Sequence, residues 1–330
     1  MDKAYKLAEE IVNGRRLTKA DDISVLKEAP DEELYRGADL IRDKLCGDHI
    51  DLCAIINGRS GRCSEDCKFC AQSGHHDTGI DEYGFLDKET LVKDCGYHAE
   101  RGIDRYSIVT AGRTLKGKDL DAACDAYKEM HDKYGDRIEL CASHGLLDEE
   151  AFKRLKDSGV SMYHENIETS RRFFPHICTT HEFDDKIKGI RAAHAAGLSV
   201  CSGGIFGMGE TEDDRIDMAF TLAEEHVESI PLNALIPIKG TALELLKPPS
   251  ARMIMRSAAY FRYINPTAFI RLAGGRYLME DSGRQAFHAG VNATITGDML
   301  TTSGNNISED REMLTGMGFD IKPSEIEAQA

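Results

Sequence analysis

Lys88–Ala142 reads KETLVKDCGYHAERGIDRYSIVTAGRTLKGKDLDAACDAYKEMHDKYGDRIELCA. Two helical patterns, Lys88–Arg101 and Asp119–Tyr134, alternate here with two short apolar runs rich in β-formers, Asp104–Thr110 and Arg137–Ala142. Each helical pattern ends in a glycine, Gly102 or Gly135, as a helix stop requires. The same unit extends in both directions. Further strands are expected at Leu52–Asn57, Val160–Asn166, Leu198–Ile205, Pro231–Pro237, Thr267–Leu272 and Val291–Thr296. Further helices are expected at Asp148–Asp157, Phe183–Ala196, Glu212–Val227, Ser250–Tyr263 and Glu280–Ala289, with glycine stops at Gly159, Gly197 and Gly290. Strands that alternate with helices build a parallel sheet, and eight of them close a (β/α)8 barrel of the TIM type. A doubly wound open sheet is the competing architecture.

Residues 1–50 carry Leu7, Ile11, Leu26, Leu34, Leu40, Ile41 and Leu45 at helical spacing, and Pro30 with Asp31–Glu33 marks a helix start. They read as an N-terminal helical extension, followed by the barrel over 51–300 and a polar C-terminal tail over 301–330 that packs on or near the barrel. Formal net charge is −16, which sets the chain against nucleic-acid phosphates and anionic lipid. No stretch approaches the ~20 apolar residues that cross a bilayer, and the first residues, MDKAYKLAEE, make a poor secretory signal. A cytoplasmic protein is expected. Ten cysteines in such a chain point to metal or redox chemistry rather than disulfides.

Three of them lie in Arg62-Cys63-Ser64-Glu65-Asp66-Cys67-Lys68-Phe69-Cys70, directly after the first expected strand. Three thiolates can hold three corners of a [4Fe–4S] cube and leave the fourth iron open for a chelating ligand. A zinc site would need a fourth ligand, Cys53 or a nearby histidine. At the end of the fifth expected strand, Gly203-Gly204-Ile205-Phe206-Gly207-Met208-Gly209-Glu210 lets backbone approach a flat ring closely. Cys53, Cys141 and Cys201 fall on expected strands, and Cys178 in the loop after the fourth. A single strand cysteine is more often packing than ligand. Cys46, Cys95 and Cys124 sit in helical patterns and read as buried or incidental thiols.

The cysteine loop, with its aromatic before the last cysteine, resembles the radical S-adenosylmethionine superfamily. Over nearly the whole chain the sequence resembles the biotin synthase family within it. The matching stretches are Asn57–Cys63, Tyr163–Ser170, Val200–Ile205, Leu232–Ala234, Lys239–Thr241, Ile270–Arg276, Ala289–Ala293 and Gly297–Thr302. The resemblance implies a [4Fe–4S] cluster on Cys63, Cys67 and Cys70, whose open iron binds S-adenosylmethionine and cleaves it to a 5′-deoxyadenosyl radical. It implies S-adenosylmethionine contacts at Phe69, Asn166, Glu168, Gly203, Ile205 and Gly207. It also implies sulfur insertion between C6 and C9 of dethiobiotin, with sulfur from an auxiliary cluster deep in the barrel. Asn166 and Asn233 would bind the ureido ring, since an amide offers donor and acceptor together. Arg105 is a candidate substrate or cluster-side charge, or a rim ion pair. A flavodoxin or ferredoxin electron donor and a homodimer are implied as well.

The auxiliary cluster departs from the family's better-known form. There it is [2Fe–2S], held by three cysteines and an arginine. Two of those cysteines match Cys141 and Cys201 and the arginine matches Arg271, but Ser107 stands in the place of the third. Asparagine in that form stands where this chain has His164. Cys53 and Cys178 are the expected substitutes, giving four thiolates, an auxiliary cluster of four-iron type with an extra sulfide, and Arg271 as a neighbouring charge. The rivals are another enzyme of the same group (a hydrogenase-cofactor maturase or a methylornithine-type mutase), a non-enzymatic iron–sulfur scaffold, and a zinc-binding interaction module.

Overall fold

The computed structural model describes residues 2–297 and 306–326. Three helices come first: α1 (Lys3–Val12), α2 (Ser24–Lys27) and α3 (Asp31–Cys46). Their buried stripe includes Leu7, Ile11, Leu26, Leu34 and Ile41. Then follow β1 (Asp51–Arg59), α4 (Lys88–Glu100), β2 (Arg105–Thr110), α5 (Lys118–Tyr134), β3 (Glu139–Ser143), α6 (Glu149–Asp157) and β4 (Val160–His164). The chain continues through α7 (Phe183–Ala195), β5 (Ser199–Cys201), β6 (Gly204–Phe206), α8 (Glu212–Glu224), β7 (Ser229–Ala234), α9 (Ala251–Ile264), β8 (Phe269–Leu272), β9 (Ala293–Ile295) and α10 (Ile307–Gly316).

Every strand pairing is parallel. β1 lies between β2 and β9, and β5 and β6 both pair with β7, so the sheet closes on itself. β5 and β6 are one wall interrupted at Ser202-Gly203, which makes eight walls and a (β/α)8 barrel. The interruption has a steric cause. A Cβ on Gly203 would lie 2.0 Å from the Pro231 carbonyl oxygen, and one on Gly204 would lie 2.1 Å from that of Glu168. The fifth wall is pressed between its neighbours, and the Asn166 side chain replaces the missing ladder by accepting from the Gly203 N–H at 2.9 Å.

The helices start where side chains can cap them. Asp87, Asp148 and Ser250 accept from Thr90, Ala151 and Met253 N–H groups, and Thr211 forms a reciprocal box with Asp214. One expectation is corrected. Glu280–His288 is a 3-10 segment broken by left-handed Asp281, Ser282 and Gly283, residues that leave the helix readily. The polar tail contains α10, whose Ile307 and Leu314 are buried and whose Asp310 pairs with buried Arg276. The matching residues Asp298–Thr302 lie outside the described residues.

Candidate active site

The loop after β1 is a closed unit. Cys63 N donates to Gln72 O at 3.0 Å, Gly74 N donates to Cys63 O at 2.7 Å, and Cys70 N donates to Cys67 O at 3.0 Å. The segment 174–181, after β4, clamps it from outside. Lys68 N donates to Ile177 O at 2.9 Å, and Asp66 accepts from Thr179 N at 2.8 Å. Glu65 accepts from Thr180 at 2.9 Å and pairs with His181 at 2.6 Å. Against the effect of burial, bonds from Thr179, Cys178 and Thr180 hold the Asp66 carboxyl well below its ordinary range.

Cys63, Phe69 and Cys70 line the mouth of a cavity of about 440 Å³ that runs down the barrel axis. Burial, and then the nearby Cys63, push the Cys70 thiol up to about 11. Three thiols, free of disulfides, on one short loop, two of them lining the cavity mouth, fit a [4Fe–4S] cluster with one open iron. The structure corrects one expectation here. Cys178 Sγ lies 3.7 Å from Cys67 Sγ and 3.3 Å from His181 Nδ1, and it does not line the deep cavity. The clamp that holds segment 174–181 against the cysteine loop keeps Cys178 there. Cys67, Cys178 and His181 hold their donor atoms within 4.8 Å, so one metal ion there and a cluster on Cys63, Cys67 and Cys70 would compete for the same Cys67 thiolate.

Below the loop, polar groups converge. Asn166 Nδ2 reaches Glu168 Oε2 at 3.4 Å, and Asn233 bridges Gly204 O at 3.1 Å and the Gly274 N–H at 2.9 Å. Each amide keeps one N–H and one lone pair for a ligand. Glu168 sits in the left-handed region (φ 66°), which turns its side chain into the cavity. Burial raises its carboxyl to about 7, and Lys186 opposes the rise. Lys186, on α7, is largely buried, with its side chain 13% exposed, and pairs with Glu165 at 2.6 Å. Ile205 lines the cavity, whereas Gly203 and Gly207 serve as backbone: Gly207 N and Met208 N both donate to buried Glu210.

The floor follows from the strand register. Cys53 is level with Arg105, Ser107 with Cys141, and Cys141 with Met162. His164 is level with Cys201, Cys201 with Ser229, and Pro231 with Arg271. Arg271 is level with Ala293, and Ala293 with Asp51. Barrel strands tilt by roughly one residue per strand, so inward side chains stack in layers of four from alternate walls. Cys53, Cys141, Cys201 and Arg271 make one such layer. Ser107, His164, Pro231 and Ile295 make the layer towards the mouth. Arg105, Met162, Ser229 and Ala293 make the layer beneath.

Asp51 closes the floor. Its carboxylate accepts from Arg105 at 2.8 Å and from Arg271 at 2.5 Å, and Arg271 also donates to Asp51 O at 3.2 Å and Thr294 O at 3.1 Å. Arg105 pairs with Glu139 too. Arg105 therefore stands beneath the thiols, at the start of β2, and not at the rim. Burial pushes Cys53 up to about 12 while Arg271 pulls it down. Burial likewise raises Cys141 and Cys201, with Arg105 and Arg271 opposing. The floor thiols are spread around the wall, since the Cys67 set alone brings donors within 4.8 Å among the described residues. Among the described residues, the buried Ser107 hydroxyl has no hydrogen-bond partner. Spread thiols, two guanidinium groups and an orphaned donor suit a multi-atom anionic group better than a single ion. Cys46 contacts Arg262 at 3.1 Å, and Cys95 and Cys124 are buried among the helices.

Asp51 and Lys186 escaped the sequence reading. The inward parity of β1, which places Asp51 two residues before Cys53, was a usable signal for the first; Lys186 looks like any helix-surface charge.

A closed parallel barrel with three free thiols at its mouth is the framework of a radical S-adenosylmethionine protein, and residues 59–222 match the Radical SAM superfamily. Residues 231–320 match the Biotin and Thiamin Synthesis associated domain. The chain is 64% identical over 316 residues to the biotin synthase of Alkaliphilus metalliredigens, covering 96% of this chain and 99% of that one. It is 60% identical, with the same coverage, to the biotin synthase of Clostridium beijerinckii. The chain belongs to the biotin synthase family. Among solved structures, methylornithine synthase covers 98% of this chain and is itself fully covered, with a TM-score of 0.83 at 19% identity. A maturase of the [FeFe]-hydrogenase gives 0.77 at 17% identity, covering 97% of this chain and 75% of that one. At those identities the likeness is one of fold. No helix among the described residues is long and apolar enough to cross a membrane.

Proposed function

We propose that this chain makes biotin by radical insertion of sulfur between C6 and C9 of dethiobiotin. The observation that carries the reading is the stack of two sites in one cavity: the three-cysteine loop at the mouth, with Cys63 and Cys70 lining it, and a layer of Cys53, Cys141, Cys201 and Arg271 on the floor. Cys63, Cys67 and Cys70 would hold a [4Fe–4S] cluster, which when bound supplies the electron that cleaves S-adenosylmethionine. Asn166, Glu168, Ile205 and Phe69 would seat that cosubstrate near the mouth. The spare N–H and lone pair on Asn166 and Asn233 would fix the ureido ring between the two sites. The walls keep water from the reacting carbons, and near-contact placement supplies much of the rate.

The floor thiols would hold the auxiliary cluster. A four-iron cluster with an extra sulfide is the assignment that we favour, on Cys53, Cys141 and Cys201 and without Cys178. A [2Fe–2S] cluster using Arg271 as a ligand is the second reading. It requires a free lone pair on a guanidine, whereas Asp51 and two carbonyl groups engage Arg271 as a cationic donor. The electron donor would be a low-potential flavodoxin or ferredoxin, and the assembly a homodimer.

The test is anaerobic incubation of the reconstituted protein with dethiobiotin, S-adenosylmethionine and reductant, following biotin and 5′-deoxyadenosine by mass spectrometry. Biotin with about two deoxyadenosines per product is expected, one per hydrogen removed. Deoxyadenosine without biotin would refute the substrate, and absence of both would point to a scaffold.

A further inference from the structure

Cys178 and His181 take no part in either cluster site, yet both stand against Cys67. Cys178 Sγ lies 3.7 Å from Cys67 Sγ and 3.9 Å from His181 Nε2, and the three residues bring their donor atoms within 4.8 Å of one another. A tetrahedral ion with metal–sulfur bonds of about 2.3 Å sets two sulfurs about 3.8 Å apart, and a sulfur and a nitrogen about 3.6 Å apart. Both Cys178 edges are close to those of one such ion.

The histidine is already turned for metal. Its Nδ1 meets Glu65 Oε2 at 2.6 Å, which holds the proton on Nδ1 and leaves the lone pair on Nε2. A carboxylate behind a histidine is the usual support of a metal ligand. Glu65 is itself held by Thr180 at 2.9 Å and Arg113 at 3.1 Å, and the Phe174 ring meets the imidazole edge-on at 5.6 Å between centroids. Cys178 and His181 are buried, whereas Thr179 and Thr180 between them are exposed, so the donors lie just beneath the surface. Charge closes as well. Two thiolates cancel a divalent ion, and a neutral imidazole adds nothing to be compensated. Two sulfurs and an imidazole suit zinc or ferrous iron, not magnesium or calcium, which take oxygen.

We propose that the cluster-free chain binds one divalent ion, zinc or ferrous iron, on Cys67, Cys178 and His181, and that this ion and the mouth cluster exclude each other. Each thiol releases its proton as it binds. The ion site stands on its own geometry; the exclusion rests on reading Cys63, Cys67 and Cys70 as the cluster ligands, since both states need the Cys67 thiolate.

The experiment titrates the full, iron-free chain with cobalt(II) under argon. The visible bands of a tetrahedral ion and the near-ultraviolet bands of thiolate bound to cobalt are expected. Glu65→Gln should weaken binding about 10- to 100-fold, and loss of a ligand in Cys178→Ala, Cys178→Ser or His181→Gln should weaken it further. Cys63→Ala combined with Cys70→Ala should keep the bands. Zinc should displace the cobalt readily and ferrous iron only in excess. Zinc added before iron and sulfide should lower the iron incorporated by wild type and not by Cys178→Ala. Circular dichroism of each variant checks that the barrel is intact. Bands unchanged in the Cys178 and His181 variants, bands lost with Cys63 and Cys70, or cobalt that neither ion displaces would overturn the site. Equal loss of incorporated iron in wild type and Cys178→Ala would overturn the exclusion. Cobalt binding is read without any cluster, so these results stand apart from whether the chain makes biotin.

Discussion

Asp51→Asn should cost this barrel several kcal/mol while removing no apolar contact. The carboxylate is the shared counter-ion of Arg105 and Arg271, and the side chains of Asp51 and Arg271 are only 4% and 2% exposed. Removing one partner of a buried pair strands the other's charge, at about 3–5 kcal/mol. Arg105 keeps Glu139, whose side chain is 56% exposed and whose pairing is worth at most about 1 kcal/mol. Arg271 keeps two carbonyl acceptors but loses its only anion. A chain of this length unfolds with an entropy of about 0.7 kcal/mol/K, so the expected fall in Tm is roughly 4–7 °C. The assay is thermal unfolding of the cluster-free protein by circular dichroism, for Asp51→Asn, Arg271→Met and the double variant. The double should recover at least 1–2 kcal/mol relative to the sum of the singles, because the stranded charge is gone. Against the effect of burial, Arg271 and Arg105 hold the Asp51 carboxyl below its ordinary 3.8 in the fold. Its contribution is therefore present above that pH and lost as pH falls below it, so the gap from wild type stays constant between pH 6 and 8 and narrows only in acid. Strictly additive variants, or a gap that widens below pH 4, would refute the reasoning.

Other perturbations separate the two ends of the cavity. Cys178→Ala should leave the auxiliary iron count unchanged, while Cys53→Ala, Cys141→Ala and Cys201→Ala each lower it; iron analysis and Mössbauer spectroscopy give the answer, and auxiliary iron lost with Cys178 would restore the four-thiolate set. Lys186→Met strands buried Glu165 and removes the cation that restrains Glu168. It should raise the KM for S-adenosylmethionine about tenfold and move the acidic limb of binding up from about pH 7, as isothermal titration across pH would show. Gly204→Ala places a methyl 2.1 Å from the Glu168 carbonyl oxygen and should destabilise by about 1–3 kcal/mol and weaken S-adenosylmethionine binding, read by thermal unfolding and equilibrium dialysis.

The eight walls were legible in the sequence because apolar runs alternate with helical patterns, and five of the runs follow a helix that stops at a glycine. The split of the fifth wall was not, because Gly203 and Gly204 are squeezed by backbone from Pro231 and Glu168, which sequence order does not bring together. Inward-facing cysteines could be suspected one at a time. That Cys53, Cys141 and Cys201 share a level depends on register, which is set by strand pairing across the closed barrel. Cys178 went astray for the same reason: its loop follows β4, but its height in the molecule is fixed by Asp66 and Lys68, on a segment more than 100 residues earlier. Asp51 falls one residue before the expected strand Leu52–Asn57, and its weight as a counter-ion appears only when Arg105 and Arg271 are seen on either side of it.

The closed floor also imposes an order of events. Asp51 and Arg271 seal the barrel from below, so the thiols above them open only towards the mouth, past His164, Asn166 and Asn233. On the proposed reading of the two sites, iron and sulfide on their way to the floor must travel the shaft that the organic ligands would occupy during reaction. Loading of the deep site and residence of the substrate are thus alternatives in time: the shaft must stand empty before the floor can be refilled, and every cycle of repair waits on the departure of what was last bound.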